Sequence, residues 1–397
     1  MKGSLNFDNE DELEQLKERI IKALSPIKPA EKNTPADKNF LFSAQRTEAG
    51  RQLPPYYLVY FLLVDLLGFK NLGQFEKIAW SIPIDFDGRA FLIEHRKFGL
   101  GVFAHDAEKE NKDAAEIVKR IKKAVKMASP YFEFVAVQAA KDSKLNVKNN
   151  SRELFDRYKF FAEDFLSISK EAEDRKKERI VERTEHENGH SEIITYPSWE
   201  LRKKSKWMAM SAIDAFFSWT EHIFIHLAIL NGEILTGEEV ADLAESDWQT
   251  KFKKAVSLDS SEMKRMYDEL TELKRQLRNY IAHGAFGKRG EAFSFHSSVG
   301  AVPLLLPHQK GKPRFSFSSN LAFDEHKAIN TIEKFVETLW KGEREPAKLY
   351  IQESDLPLIL TYAADGTYQK AMNSAKDMEE FVDYLHAQWE RAANMDF

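Results

Sequence analysis

The chain has 397 residues, 43% hydrophobic and 30% charged, with no cysteine and a formal net charge of −5. That length predicts two or three domains rather than one core, and the missing cysteines exclude disulfides, thiolate metal sites and a cysteine nucleophile. The acidic balance excludes a surface that is basic throughout, so any nucleic-acid contact must come from a local cluster of Arg and Lys.

Residues 8–25 place Leu13, Leu16, Ile20 and Leu24 at helical spacing, and Pro26, Pro29 and Pro35 follow in a polar stretch. Residues 1–39 therefore read as a helix and an extended arm. The start is polar and acidic, unlike a secretory leader, and the longest apolar run, 56–63, is far short of the ~20 residues that span a bilayer. A cytoplasmic location without a membrane partner is the expectation.

The fold class expected is α+β. Residues 40–147 predict a small α+β domain. A buried helix at 55–67 precedes a meander of strands at 78–82, 90–93 and 99–103, with Asp87-Gly88 as a hairpin turn. A helix at 107–127 covers it, and 131–137 alternates like one more strand. This domain is the expected place for a protein partner or small-molecule ligand.

Residues 148–345 read as mainly helical. A long helix spans 151–184, its mixed-charge part at 170–187 being a solvated face with i,i+4 ion pairs, and a polar break follows at 185–192. Helices are expected at 199–230, 260–283 and 325–340, with strands at 292–296 and 314–318. Residues 346–397 predict a hairpin over 358–369, turning at Asp365-Gly366, and a helix over 377–392.

The stretch 270–284, LTELKRQLRNYIAHG, carries the most chemical information. At 100° per residue, Leu270, Leu273, Leu277, Ile281 and Gly284 form one apolar stripe. Glu272, Arg275, Gln276, Asn279 and His283 fall opposite, with Arg278 on the flank. Asn279 and His283 are i,i+4 neighbours; Arg278 lies about 140° around the helix from His283.

Arg278, Asn279 and His283 resemble the signature of the HEPN family: an Arg, a polar residue and a His four to six positions after the Arg. This family of helical domains is common in toxin–antitoxin, phage-defence and CRISPR-associated proteins. The segment Ala215-Phe216-Phe217-Ser218-Trp219-Thr220-Glu221-His222, and Trp248 with Lys251-Phe252, fit the same resemblance, which covers about 199–340. Family members modified by partner nucleotidyltransferases carry a Tyr two positions after the His; Ala285 stands there in this chain.

The resemblance implies a metal-independent endoribonuclease in a stress or defence role, acting as a homodimer that pools two Arg and two His across a two-fold axis, with no cofactor. RNA carries its own nucleophile, the 2′-OH. His283 suits proton transfer, Arg278 a phosphorane gaining charge, and Asn279 orientation of the ring or of a phosphate. Arg275, and Lys288 and Arg289 just past the helix, are candidates for phosphate contacts. The same residues also have a structural reading, since a helix C-terminus favours His and Gly and its far face is ordinarily solvated. The alternative function is then dimerisation or partner binding without catalysis.

Other constellations are weaker. His222 and His226 have zinc-compatible i,i+4 spacing on an apolar helix but no third ligand nearby, and Glu221 beside them is expected to pair with an Arg of the motif helix. His186 and His190 lie among glutamates in a polar stretch. Asp85 or Asp87 with Glu94, Arg96 and Lys97 is similar to a Mg²⁺ nuclease pattern, but Arg96 occupies the position of the required Lys, and a charged strand edge is the simpler reading.

Overall fold

The chain folds as an α+β protein. The structure, a computed structural model, describes residues 10–393 other than 33, 37–38, 187–188, 284–289, 307–314, 316 and 318–323, and the side chains of 10, 279–283, 290–292, 303, 305–306 and 392–393 also lie outside the description. Two units partition the contacts: 1–142 with 386–397, and 143–385.

In the first unit, α1 (Glu10–Leu24) turns Leu16, Ile20 and Leu24 inward at i, i+4 and i+8. The next strand, β1 (Lys28–Pro29), extends the sheet by pairing with the first long strand, so residues before 40 belong to the same core as those after it. Next come α2 (Phe40–Ser43), β2 (Gln45–Arg46) and α3 (Tyr56–Tyr60), which runs on in π-helical form through Leu66.

The expected meander is β3 (Ile78–Phe86), β4 (Arg89–Arg96) and β5 (Gly99–Ala104), in an antiparallel sheet ordered β1-β3-β4-β5-β2. Asp87 and Gly88 both have positive φ, 51° and 75°, which is the primed turn a two-residue hairpin needs. Alternation assigns the faces: Phe91 and Ile93 enter the main core with Ile82, Ile84 and Val102, whereas Leu92 joins Phe40, Ala44 and Phe103 on the other face.

The main core is closed by α4 (Asn111–Met127), through Ile117, Ile121 and Ala124. The strand expected at 131–137 is instead helix, α5 (Ser129–Lys141). Pro130 sits in its first turn, where a proline is pre-set for helix, and an apolar run this short has no decisive period.

The second unit is a helical bundle. After β6 (Asn146–Val147), α6 (Ser151–Asp174) and α7 (Pro197–Leu230) run antiparallel. Ser169 meets Ser205, Tyr158 faces Phe216 and Phe155 faces Trp219. By length and composition α7 could cross a membrane, but 72% of its apolar window is buried in the bundle.

The helix expected to reach 184 stops at Asp174. Arg175 bonds Glu171 and Glu178 at that end, and the chain turns into a solvent-exposed hairpin of β7 (Ile180–His186) and β8 (Gly189–Thr195). Val181, Thr184, Ile193 and Ile194 supply its β-branched positions.

Two short helices, α8 (Gly237–Glu245) and α9 (Trp248–Ala255), are capped by Thr236 and Asp247. The long α10 (Ser261–His283) follows. Next, β9 (Gly290–Ser297) pairs with β10 (Gly300–Leu306), and the strand expected at 314–318 lies mostly outside the described residues. Gly300, at φ 104°, allows the tight turn, and Phe315 and Phe317 pack their rings on Phe293 and Phe295.

The remaining bundle helix is α11 (Glu325–Leu339), whose Phe335 meets Phe216 and Phe252 in the core. The C-terminal part holds α12 (Glu345–Lys348), β11 (Leu358–Ile359, paired with β6), α13 (Leu360–Ala364), α14 (Thr367–Ala371) and α15 (Ala375–Ala393). The expected 358–369 hairpin is thus two short helices. Asp365-Gly366 does make the turn, with Gly366 at φ 81°, but Leu360, Ala363 and Tyr368 are buried at helical rather than alternating spacing.

Candidate functional site

The apolar stripe of α10 explains how its chemistry is presented. Leu270, Leu273 and Leu277 are buried in one core with Phe217, Phe224 and Phe252, so the opposite face turns outward. Arg278 is exposed, and among the described residues no carboxylate pairs with it. Arg275 is committed differently: its Nε donates to Glu272 Oε2 at 2.9 Å, and Gln276 donates to the same carboxylate at 2.9 Å. The side chains of Asn279, Ile281 and His283, and the residues Lys288 and Arg289, lie outside the described set, although the backbone is helical through His283.

Glu221 does not pair with an Arg of α10. It accepts from Lys274 of α10 at 2.6 Å and from Lys251 of α9 at 3.1 Å. Lys274 also stands 5.2 Å from the Phe217 ring centre and 5.6 Å from that of Trp248, a cation–π placement. Trp248 in turn donates to Thr220 at 2.9 Å.

Burial works to raise the Glu221 pKa, but the hydrogen bonds and charges of Lys274 and Lys251 prevail and hold it below the ordinary carboxylate value. Lys251 keeps only 6% of its side chain exposed, so this carboxylate is its required partner. Sequence reasoning named Lys251 but missed both lysines as partners of Glu221, because they lie 30 and 53 positions away along the chain.

The paired histidines are structural. Asn150 N–H donates to His222 Nε2 at 3.0 Å, His226 Nδ1 contacts the His222 carbonyl at 2.8 Å, and the rings lie 4.1 Å apart. Burial, followed by the neighbouring His226, lowers the His222 pKa to about 3. His226 is lowered to about 4 by burial, against the opposing carbonyls of His222 and Lys148. In the exposed hairpin, His186 bonds Ser191 and His190 lies 3.8 Å from Glu192.

In the first unit the carboxylates are kept apart. Glu94 is buried opposite Ser81, accepting from Ser81 at 2.7 Å and from Arg96 at 2.7 Å. Asp85 lies opposite Ala90, where it takes bonds from Thr34 and from the Gly88 N–H. Ser81, opposite Glu94, and Asp85 are four positions apart on β3, about 13 Å at strand rise. Asp87 sits in the turn. Among the described residues no three His, Asp or Glu side chains gather as a metal-holding group.

No family model, curated protein or solved structure matches this chain.

Proposed function

We propose that the second unit is a HEPN-type, metal-independent endoribonuclease of the cytoplasm, acting as a homodimer in a stress or defence role. The observation that carries this reading is the placement of Arg278. It is exposed and free of carboxylate partners among the described residues, on a helix whose opposite face is fixed in the bundle. A guanidinium held out in this way is available to a phosphate, which its forked donors fit.

In the reaction, His283 accepts the 2′-OH proton as the 2′-oxygen attacks the adjacent phosphorus. Arg278 stabilises the doubly charged phosphorane, and the P–O5′ bond breaks as the leaving oxygen takes up a proton from the second His283 of the pooled pair, acting as general acid. The products are a 2′,3′-cyclic phosphate and a 5′-hydroxyl. The test is end-group chemistry: single-stranded RNA incubated with the purified protein in EDTA should yield cyclic phosphate ends. Intact RNA would leave partner binding or dimerisation as the role of this helix.

A further inference from the structure

The first half of α7 carries a surface that the catalytic reading does not use. Trp199 is 66% exposed and Trp207 48% exposed, and Lys203 lies between them in sequence with its ammonium 5.2 Å from the Trp207 ring centre. The three are spaced i, i+4 and i+8 and so share one helix face, with the indoles about 12 Å apart along the axis. Arg202, Lys204 and Lys206 are also exposed. Arg202 and Lys206 have acidic neighbours, Glu173 at 3.5 Å and Glu325 at 4.0 Å. Lys203 and Lys204 pair with no carboxylate among the described residues. This concentration of cations stands out in a chain of net charge −5.

We infer that this face of α7 binds single-stranded RNA, with bases stacking on Trp199 and Trp207 and phosphates meeting Lys203 and Lys204. Exposed indoles interleaved with cations are what a flexible strand with unpaired bases can use, whereas a duplex hides the faces of its bases. A membrane surface fits less well. The two tryptophans are the only exposed large apolar side chains of α7 among the described residues, and the positions between them hold four cations, Arg202, Lys203, Lys204 and Lys206, and one exposed anion, Glu200, so α7 has no continuous apolar face to insert. The inference names the substrate class of the proposed ribonuclease and in that sense rests on it, but binding can be measured apart from cleavage.

The experiment is fluorescence anisotropy of a labelled 2′-O-methyl oligouridine, which has no free 2′-OH and cannot be cleaved by this chemistry, titrated with full-length protein. Trp199→Ala/Trp207→Ala should weaken binding about tenfold or more. Lys203→Glu/Lys204→Glu should weaken it comparably and flatten its salt dependence. Both variants should melt like the parent protein, because the altered side chains are exposed. Parent protein that does not bind, variants that bind within twofold of it, or preference for duplex RNA or phosphatidylserine vesicles would each overturn the inference. Oligouridine binding without RNA cleavage would sink the ribonuclease alone; cleavage with undiminished binding by the tryptophan variant would sink this surface alone.

Discussion

Glu221 on α7 and Lys274 on α10 are joined by a 2.6 Å hydrogen bond, which ties the helix bearing the candidate motif to the central helix of the bundle. Because Glu221 also holds the buried Lys251, Glu221→Gln should destabilise the protein by about 2 kcal/mol. That is below the 3–5 kcal/mol of a fully buried pair, because Glu221 is partly solvated. Lys274→Met, which leaves Lys251 paired and keeps contact with the aromatic rings, should cost less. Urea unfolding of the two variants checks the order, and a harmless Glu221→Gln would contradict it.

Acid should weaken the second unit before its carboxylates titrate. His222 and His226 have folded pKa values of about 3 and about 4, below their ordinary 6.5, so protons bind the unfolded chain first. Their contribution to stability is full above about pH 6.5 and declines as pH falls toward the folded values. Between pH 7 and pH 5 the loss should reach at least about 2 kcal/mol. His226→Asn keeps a donor for the His222 carbonyl and should flatten that decline. Chemical denaturation at the two pH values measures both, and equal slopes for parent and variant would refute the assignment.

The core was legible wherever one period dominated. The stripe of α10, the Asp87-Gly88 hairpin and the amphipathic α1 and α4 all follow directly from residue spacing. Short apolar runs were not, because 131–137 and 358–369 suit either period and only burial decides them. The hairpin at 180–195 was hidden by its charges, which read equally well as a solvated helix. At the site, helix geometry set Arg278 off the apolar stripe, on its flank, and the structure finds it exposed. The Glu221 contacts did not, because they join residues 30 and 53 positions apart.

A composite site across a two-fold axis requires self-association. Sedimentation equilibrium should show a dimer at micromolar concentration. A monomer at high micromolar concentration would contradict the pooled arrangement.

Charge alone should not suffice at position 278. Arg278→Lys keeps the cation but loses the planar fork, so cleavage should fall about 10²-fold or more, as when a donor to a transition-state oxyanion is removed. Because Arg278 is exposed, the melting temperature should not move. A rate within twofold of the parent protein would place the phosphate elsewhere.

The decisive comparison is parent protein against His283→Ala on single-stranded RNA in EDTA, with product ends identified. The parent should give cyclic phosphate ends without added metal, and the variant a rate about 10²–10⁴-fold lower, the usual worth of proton transfer. Equal rates for the two proteins, or cleavage that appears only when Mg²⁺ is supplied, would contradict the proposed reaction.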